Sequence, residues 1–155
     1  MILYLDTSAL VKVFVDEPGR AEVAEALGRS SRVATAMVSY AEARATFARL
    51  LREGLVSSEE HSGMVAALDG SWKSYERPPV TNALIGSAGN LAERFSLRGY
   101  DSVQLASAVA CHERRDREEE PREVRFMSFD GNLNKAARHV LSLYDADEEH
   151  QEEVP

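Results

Sequence analysis

Short apolar runs alternate along the chain with longer stretches in which apolar residues recur every three or four positions. Ile2-Leu3-Tyr4-Leu5 is the first such run; it stops at Asp6-Thr7-Ser8, and Leu10, Val11, Phe14 and Val15 follow at helical spacing. This predicts a buried strand feeding a helix. Pro18-Gly19 breaks the chain, Ala21 to Leu27 reads as a short helix, and Val33-Ala34-Thr35 as a second brief strand. Tyr40, Ala43, Phe47, Leu50 and Leu51 trace one face of a helix that ends near Gly54. Ser57-x-x-Glu60 opens another, running toward Tyr75 with Met64, Ala67, Leu68 and Trp72 on one side despite Gly63 and Gly70.

After Pro78-Pro79, Val80-Thr81 gives a weak strand signal, and Leu84, Ala88, Leu91, Ala92 and Phe95 mark a helix that closes by Gly99. Asp101 starts the next, with Val103, Leu105, Ala106, Val109 and Ala110 apolar; the charge run Glu113 to Glu123 beyond it is expected to be a solvated loop. Val124 to Phe129 is the clearest late strand, Asp130 leads into a helix through Leu133, Ala136, Ala137 and Val140, and Leu141 to Tyr144 adds a last strand. Strands alternating with helices, with no tight hairpin signal between them, imply parallel pairing and an α/β fold.

In an open parallel sheet the site lies outside the carboxyl ends of the strands. Asp6 and Asp130 each follow an apolar strand directly, and Glu42 and Asp101 sit at helix starts on that same edge. Each acid has an ordinary explanation, because Asp caps helices and negative charge is favoured at a helix N-terminus. Ser39-x-x-Glu42 and Asp101-x-x-Gln104 both match a capping box. Two considerations shift the balance. Ser39 could cap its helix without Glu42, and a strand-end anion such as Asp6 is costly unless cations or donors meet it. Converging carboxylates would also repel unless a divalent cation neutralised them.

Composition narrows the choice of metal. Cys111 is the sole cysteine, so no intramolecular disulfide and no thiolate-rich site can form; His61, His112, His139 and His150 are scattered and read as surface residues. An all-oxygen set suits a hard ion, Mg²⁺ or Mn²⁺, which can strengthen water as a nucleophile toward a phosphate. Glu42 is the candidate to orient that water. A chain of 155 residues fits one compact domain, residues 1–144, with a disordered acidic tail at 145–155. The formal net charge of -8 disfavours nucleic acid if taken whole. Six of the acids lie in that tail, however, and they leave only about -2 for residues 1–144, a balance that permits RNA binding. No basic leader precedes Leu5 and no apolar run approaches the roughly 20 residues that span a bilayer, so a cytoplasmic protein with no membrane role is expected.

Taken together, Leu5-Asp6-Thr7-Ser8-Ala9-Leu10-Val11-Lys12, Ser39-Tyr40-Ala41-Glu42, Gly99-Tyr100-Asp101-Ser102-Val103-Gln104-Leu105-Ala106-Ser107-Ala108 and Met127-Ser128-Phe129-Asp130-Gly131-Asn132-Leu133 resemble, in order, the four acidic motifs of PIN-domain proteins, closest to the VapC-like toxins of bacterial toxin–antitoxin pairs. The resemblance covers roughly residues 1–144. It implies a five-stranded parallel sheet flanked by helices, with Asp6, Glu42 and Asp101 as the acidic triad and Asp130 as a more variable fourth acid. It also implies Mg²⁺-dependent or Mn²⁺-dependent endoribonuclease activity, RNA as substrate, a homodimer, and a cognate antitoxin that occupies the groove. Thr7, Ser8 and Ser128 match hydroxyl positions near the metal, with simple capping as the competing role.

Lys12, Arg44, Arg49, Arg52, Arg94, Arg98, Lys135 and Arg138 lie on or near the proposed edge and could line an RNA groove, or be solvated faces and weak surface pairs. Tyr40, Phe47, Trp72 and Tyr75 could stack bases; helical spacing instead favours core for Phe47 and an interface for Trp72. Two rival functions stand beside the nuclease. A phosphatase of the haloacid-dehalogenase type would want a second Asp two residues after Asp6, where this chain has Ser8. A catalytically silent protein-binding module would use the acids as caps alone.

Overall fold

In a computed structural model, which describes residues 1–115 and 123–143, the run Ile2–Leu5 forms strand β1, buried along its whole length. It is followed by α1 (Thr7–Phe14), α2 (Arg20–Arg29), β2 (Arg32–Ala34), α3 (Ser39–Arg52), α4 (Ser58–Trp72), α5 (Asn82–Phe95), α6 (Gly99–Arg115), β3 (Val124–Met127), α7 (Gly131–Ala137) and β4 (Ser142–Leu143). The strands pair in the order β2-β1-β3-β4, all parallel. The α/β class and the parallel sheet flanked by helices are as expected.

Because side chains alternate along a strand, β1 feeds two cores. Ile2 and Tyr4 pack with Phe126, Leu105, Ala108, Cys111 and Leu133 from β3, α6 and α7. Leu3 and Leu5 pack on the opposite face with Leu10, Val23 and Ala26 of α1 and α2. With both faces covered, β1 needs apolar residues at every position, which explains a continuous run where a half-exposed strand would alternate. A third cluster joins Val11 of α1 and Val15, the C-cap of that helix, to Phe47, Met64 and Leu68 of α3 and α4. Phe47 is core, as expected. Trp72 is half-buried within the chain, its ring 5.2 Å from that of Tyr40 and 6.2 Å from that of Tyr75.

Several elements differ from expectation in detail. The described residues form four strands where the resemblance implied five. Val80-Thr81 is no strand: Val80 is exposed, and Thr81 is the N-cap of α5, its hydroxyl accepting the Leu84 N–H at 3.2 Å. The chain meets the sheet edge earlier, at a lone parallel bridge between Glu76 and Ala34. Pro78-Pro79 then removes the N–H groups a ladder would need. The helix begun near Asp101 starts at Gly99 and runs on to Arg115, into the segment expected to be loop. Residues 116–122 and the acidic tail 145–155 lie outside the described residues, as do Tyr144 and His150. Ser57 and Glu60 form the predicted capping box, and α4 continues through Gly63 and Gly70.

Candidate active site

Parallel register decides where the site lies. Leu5 pairs with Met127, so Asp6 and Ser128 are the first residues past the ends of β1 and β3. The Asp6 N–H still donates to the Met127 carbonyl at 3.1 Å, which holds the two turns side by side. On the other flank the Thr35 hydroxyl donates to the Leu5 carbonyl at 2.7 Å, locking the exit of β2 to the same edge.

Asp6 is the N-cap of α1, so the capping role is real, yet it does not exhaust the residue. Oδ1 accepts the Ala9 N–H at 2.9 Å and the Ser8 hydroxyl at 2.7 Å, and Oδ2 accepts the Ser128 hydroxyl at 2.7 Å. Asp6 is only 4% exposed. Burial pushes its carboxyl up to about 6; the bonds from Ser8, Ala9 and Ser128 oppose the rise, and the Asp130 charge adds to it. Ser8 also accepts the Phe129 N–H at 2.8 Å and Ser128 accepts the Asp130 N–H at 3.0 Å. Two hydroxyls therefore staple the start of α1 to the turn after β3 through the Asp6 carboxylate.

Glu42 sits in the first turn of α3, but the capping box proposed for it does not form. Ser39 lies inside the helix, Val38 is the N-cap, and no side chain caps it. The Ser39 hydroxyl instead lies 2.9 Å from Thr35 Oγ1, whose single proton goes to Leu5, and accepts from Gln104 Nε2 at 2.8 Å. Glu42 Oε2 accepts the Thr7 hydroxyl and, at 3.0 Å, Gln104 Nε2. Nor does Gln104 complete a box with Asp101. From α6 it reaches across to α1 and α3, its amide also 2.8 Å from Thr7 Oγ1, while its backbone carbonyl accepts the buried Tyr4 hydroxyl at 3.0 Å.

Asp101, in the first turn of α6, is half-buried, and among the described residues no hydrogen bond reaches its carboxylate. Its pKa is raised by burial first, then by the Asp130 and Glu42 charges, with Arg98 opposing. Asp130 caps α7, Oδ1 accepting the N–H groups of Asn132 at 2.8 Å and Leu133 at 2.9 Å. All four acids line one cleft of about 500 Å³, together with Thr7, Ser8, Gln104, Lys12, Glu17 and Arg49. An apolar hollow floored by Ala88, Gly89, Ala92 and Val103 adjoins it and shares Glu42 and Asp101. Among the described residues no three His, Cys, Asp or Glu side chains form a ready-made metal-binding group.

Gln104 is the functional residue that sequence reasoning undervalued, as a mere cap partner. A polar residue between Val103 and Leu105, three positions after Asp101 and so on its helical face, was the available signal. Of the proposed basic residues, Lys12 and Arg49 line the cleft and Arg98 lines the neighbouring hollow. Arg44 turns to the Tyr40 hydroxyl at 2.7 Å, and Arg94 lies over the Phe95 ring at 4.8 Å. Arg52, Lys135 and Arg138 are not among the lining residues. His112 is half-buried rather than a surface residue, and His139 stacks on Phe95 at 5.5 Å.

A family model described as PIN domain matches residues 3–145. The chain belongs to the PIN-domain family. It is 28% identical over 109 residues to "Ribonuclease VapC45" of Mycobacterium tuberculosis, covering 70% of this chain and 76% of that protein. In fold it is similar to FitAcB from Neisseria gonorrhoeae, with a TM-score of 0.61, 17% identity and coverage of 94% and 97% of the two chains. VapBC2 from Rickettsia felis, solved bound to a DNA fragment from their promoter, gives a TM-score of 0.61 at 14% identity, covering 94% of this chain and 100% of that one. Among the described residues no helix is long and apolar enough to cross a membrane.

Proposed function

We propose that this PIN-domain protein is a metal-dependent endoribonuclease that hydrolyses RNA phosphodiesters as the toxin of a toxin–antitoxin pair. The observation that carries the reading is the cleft itself, in which Asp6, Glu42, Asp101 and Asp130 arrive from four different segments at one edge of the sheet. The name of the related VapC45 supports ribonuclease action, and the likeness to FitAcB and VapBC2 supports a protein antitoxin as partner.

The donor chemistry fits a hard cation. Five carboxylates, the four proposed ligands and Glu17, share a cleft with no Cys or His among its lining residues, and the Asp6 and Asp101 carboxyls are raised partly by the charge of their acidic neighbours. Asp6, Glu42, Asp101 and Asp130 would hold Mg²⁺, with Mn²⁺ able to substitute. When bound, such an ion would make water a stronger nucleophile and offset charge on the phosphate. The chain's own residues prepare the rest. Ser8, Ser128 and the Ala9 N–H orient Asp6, while Thr7 and Gln104 hold one oxygen of Glu42 and leave Oε1 without a protein partner among the described residues. That leaves Glu42 able to orient an attacking water.

A second reading is a silent module whose groove only grips a protein; among the described residues no three His, Cys, Asp or Glu side chains stand together as a ready-made ligand set. The phosphatase alternative is weaker, because the position where it needs a second acid is Ser8, whose hydroxyl serves Asp6. A labelled RNA panel incubated with and without Mn²⁺ decides between nuclease and silent module. Cleavage that needs the metal and disappears in Asp101→Asn supports the nuclease; cleavage that survives EDTA or the substitution refutes the mechanism. A homodimer in the cytoplasm completes the proposal, and light scattering on the purified chain tests its oligomeric part.

A further inference from the structure

A cleft lined by five acids is a hostile entrance for a polyanion, and one of the two cations lining it is largely buried. Lys12, in the last turn of α1, lines the cleft with its side chain only 12% exposed. Lysines usually keep their ammonium in water. Here Nζ is 2.8 Å from Glu17 Oε1 and 4.5 Å from the centroid of the Phe129 ring. Phe129 is tied in turn to the acid network, its N–H donating to the same Ser8 hydroxyl that serves Asp6.

Gly19 makes the seat possible. Its φ is +94°, and a Cβ there would stand 2.5 Å from Phe129 Cε1 and 3.1 Å from Lys12 Cδ. Only a residue without a side chain lets the ring and the lysine stem lie against this turn without displacement. Ordering a lysine side chain costs more entropy than a surface ion pair usually returns. Arg49 on the same rim shows the ordinary case: its side chain is 55% exposed and it meets Glu53 at 3.5 Å, one helical turn on.

Resting on the ribonuclease reading, we infer that Lys12, seated on Phe129 and Gly19 at the mouth of the acid cleft, is the binding residue for a backbone phosphate of the RNA strand. The ammonium has three donors, and Glu17 takes one of them in the free protein. The others are available to phosphate oxygens without dismantling the pair. Glu17 then acts as a tuning charge that fixes the amine and weakens its pull on the phosphate.

The test is binding of a short fluorescent single-stranded RNA, followed by anisotropy across a salt titration, with every variant placed in an Asp101→Asn background so that the strand is not cut. Lys12→Gln should weaken binding about three- to ten-fold for any sequence and lower the slope of log K against log salt by about 0.7. Lys12→Arg should restore most of both. Glu17→Gln should act in the opposite direction and tighten binding about two-fold, because it removes a competing anion. Phe129→Leu, which keeps every charge but removes the ring, should weaken binding without changing the slope. A purely structural pair predicts something else: Lys12→Gln and Glu17→Gln lower the melting temperature alike and leave affinity and slope in place, and that result overturns the inference. Should the unsubstituted chain neither bind nor cut RNA, the ribonuclease reading fails and the role of Lys12 falls with it.

Discussion

On one wall of the cleft Asp6 accepts from three donors, the Ser8 and Ser128 hydroxyls and the Ala9 N–H; on the other wall Asp101 accepts from none among the described residues. Glu42 belongs with the first wall, held by Thr7 and Gln104, which is itself buried and anchored to Ser39. The first wall is built from the ends of β1 and β3 and the first turn of α3, beside the sheet. The second is the exposed first turn of α6, beside the apolar hollow and the 64% exposed Tyr100. Asp6 on the fixed wall is thus preorganised by its donors, and Asp101 on the open wall keeps its lone pairs for an incoming group.

Substitutions can break this contrast. The largest expected effect is on catalysis, where the walls should be equal: Asp6→Asn or Asp101→Asn should each lower metal-dependent RNA cleavage by at least about 10³-fold, roughly 4 kcal/mol of barrier. Single-turnover assays in Mn²⁺ would show it. In metal-free protein the walls should part. Gln104→Leu strips partners from Glu42, Ser39 and Thr7 at once and should cost about 2–4 kcal/mol by urea denaturation.

Asp6 gives the next contrast, through pH. Its carboxyl rises from 3.8 in the unfolded reference to about 6 in the fold, so the folded state binds the proton more tightly. The contribution of Asp6 to stability is then greatest below about pH 4, falls as pH rises between about 4 and 6, and levels off above, a loss on the order of 2–3 kcal/mol for such a shift. Asp6→Asn should flatten that slope and leave the metal-free protein more stable than the parent at pH 8. If the carboxylates bind an ion, Mn²⁺ should offset the loss in the parent protein and not in the variant. The smallest effect is expected on the open wall: Asp101→Asn should move metal-free stability by less than about 0.5 kcal/mol, since no hydrogen bond among the described residues is lost. A drop above about 2 kcal/mol would show that Asp101 has partners in solution and that the contrast is wrong.

What was legible in the sequence followed from local rules. Apolar runs of period one and of helical period fix which segments are buried strands and which are amphipathic helices, and the strand-to-acid junctions at Asp6 and Asp130 mark the edge where a parallel sheet places its site. That was enough for the α/β class, the helix order, the core role of Phe47 and all four cleft acids. It was not enough for Gln104, whose partners Tyr4, Thr7, Ser39 and Glu42 lie 62 to 100 residues away, nor for Ser39, which a local motif made into a cap. Nor could a weak strand signal at Val80 foresee that the chain would touch the sheet edge at Glu76 instead. Hydrophobic period and capping act over a few residues and are written where they act. Hydrogen-bond partners across the cleft, the seat of Lys12 against Gly19 and the raised carboxyl of Asp6 depend on which segments meet and how much water their meeting excludes, and that is settled only when the whole chain has closed around the sheet.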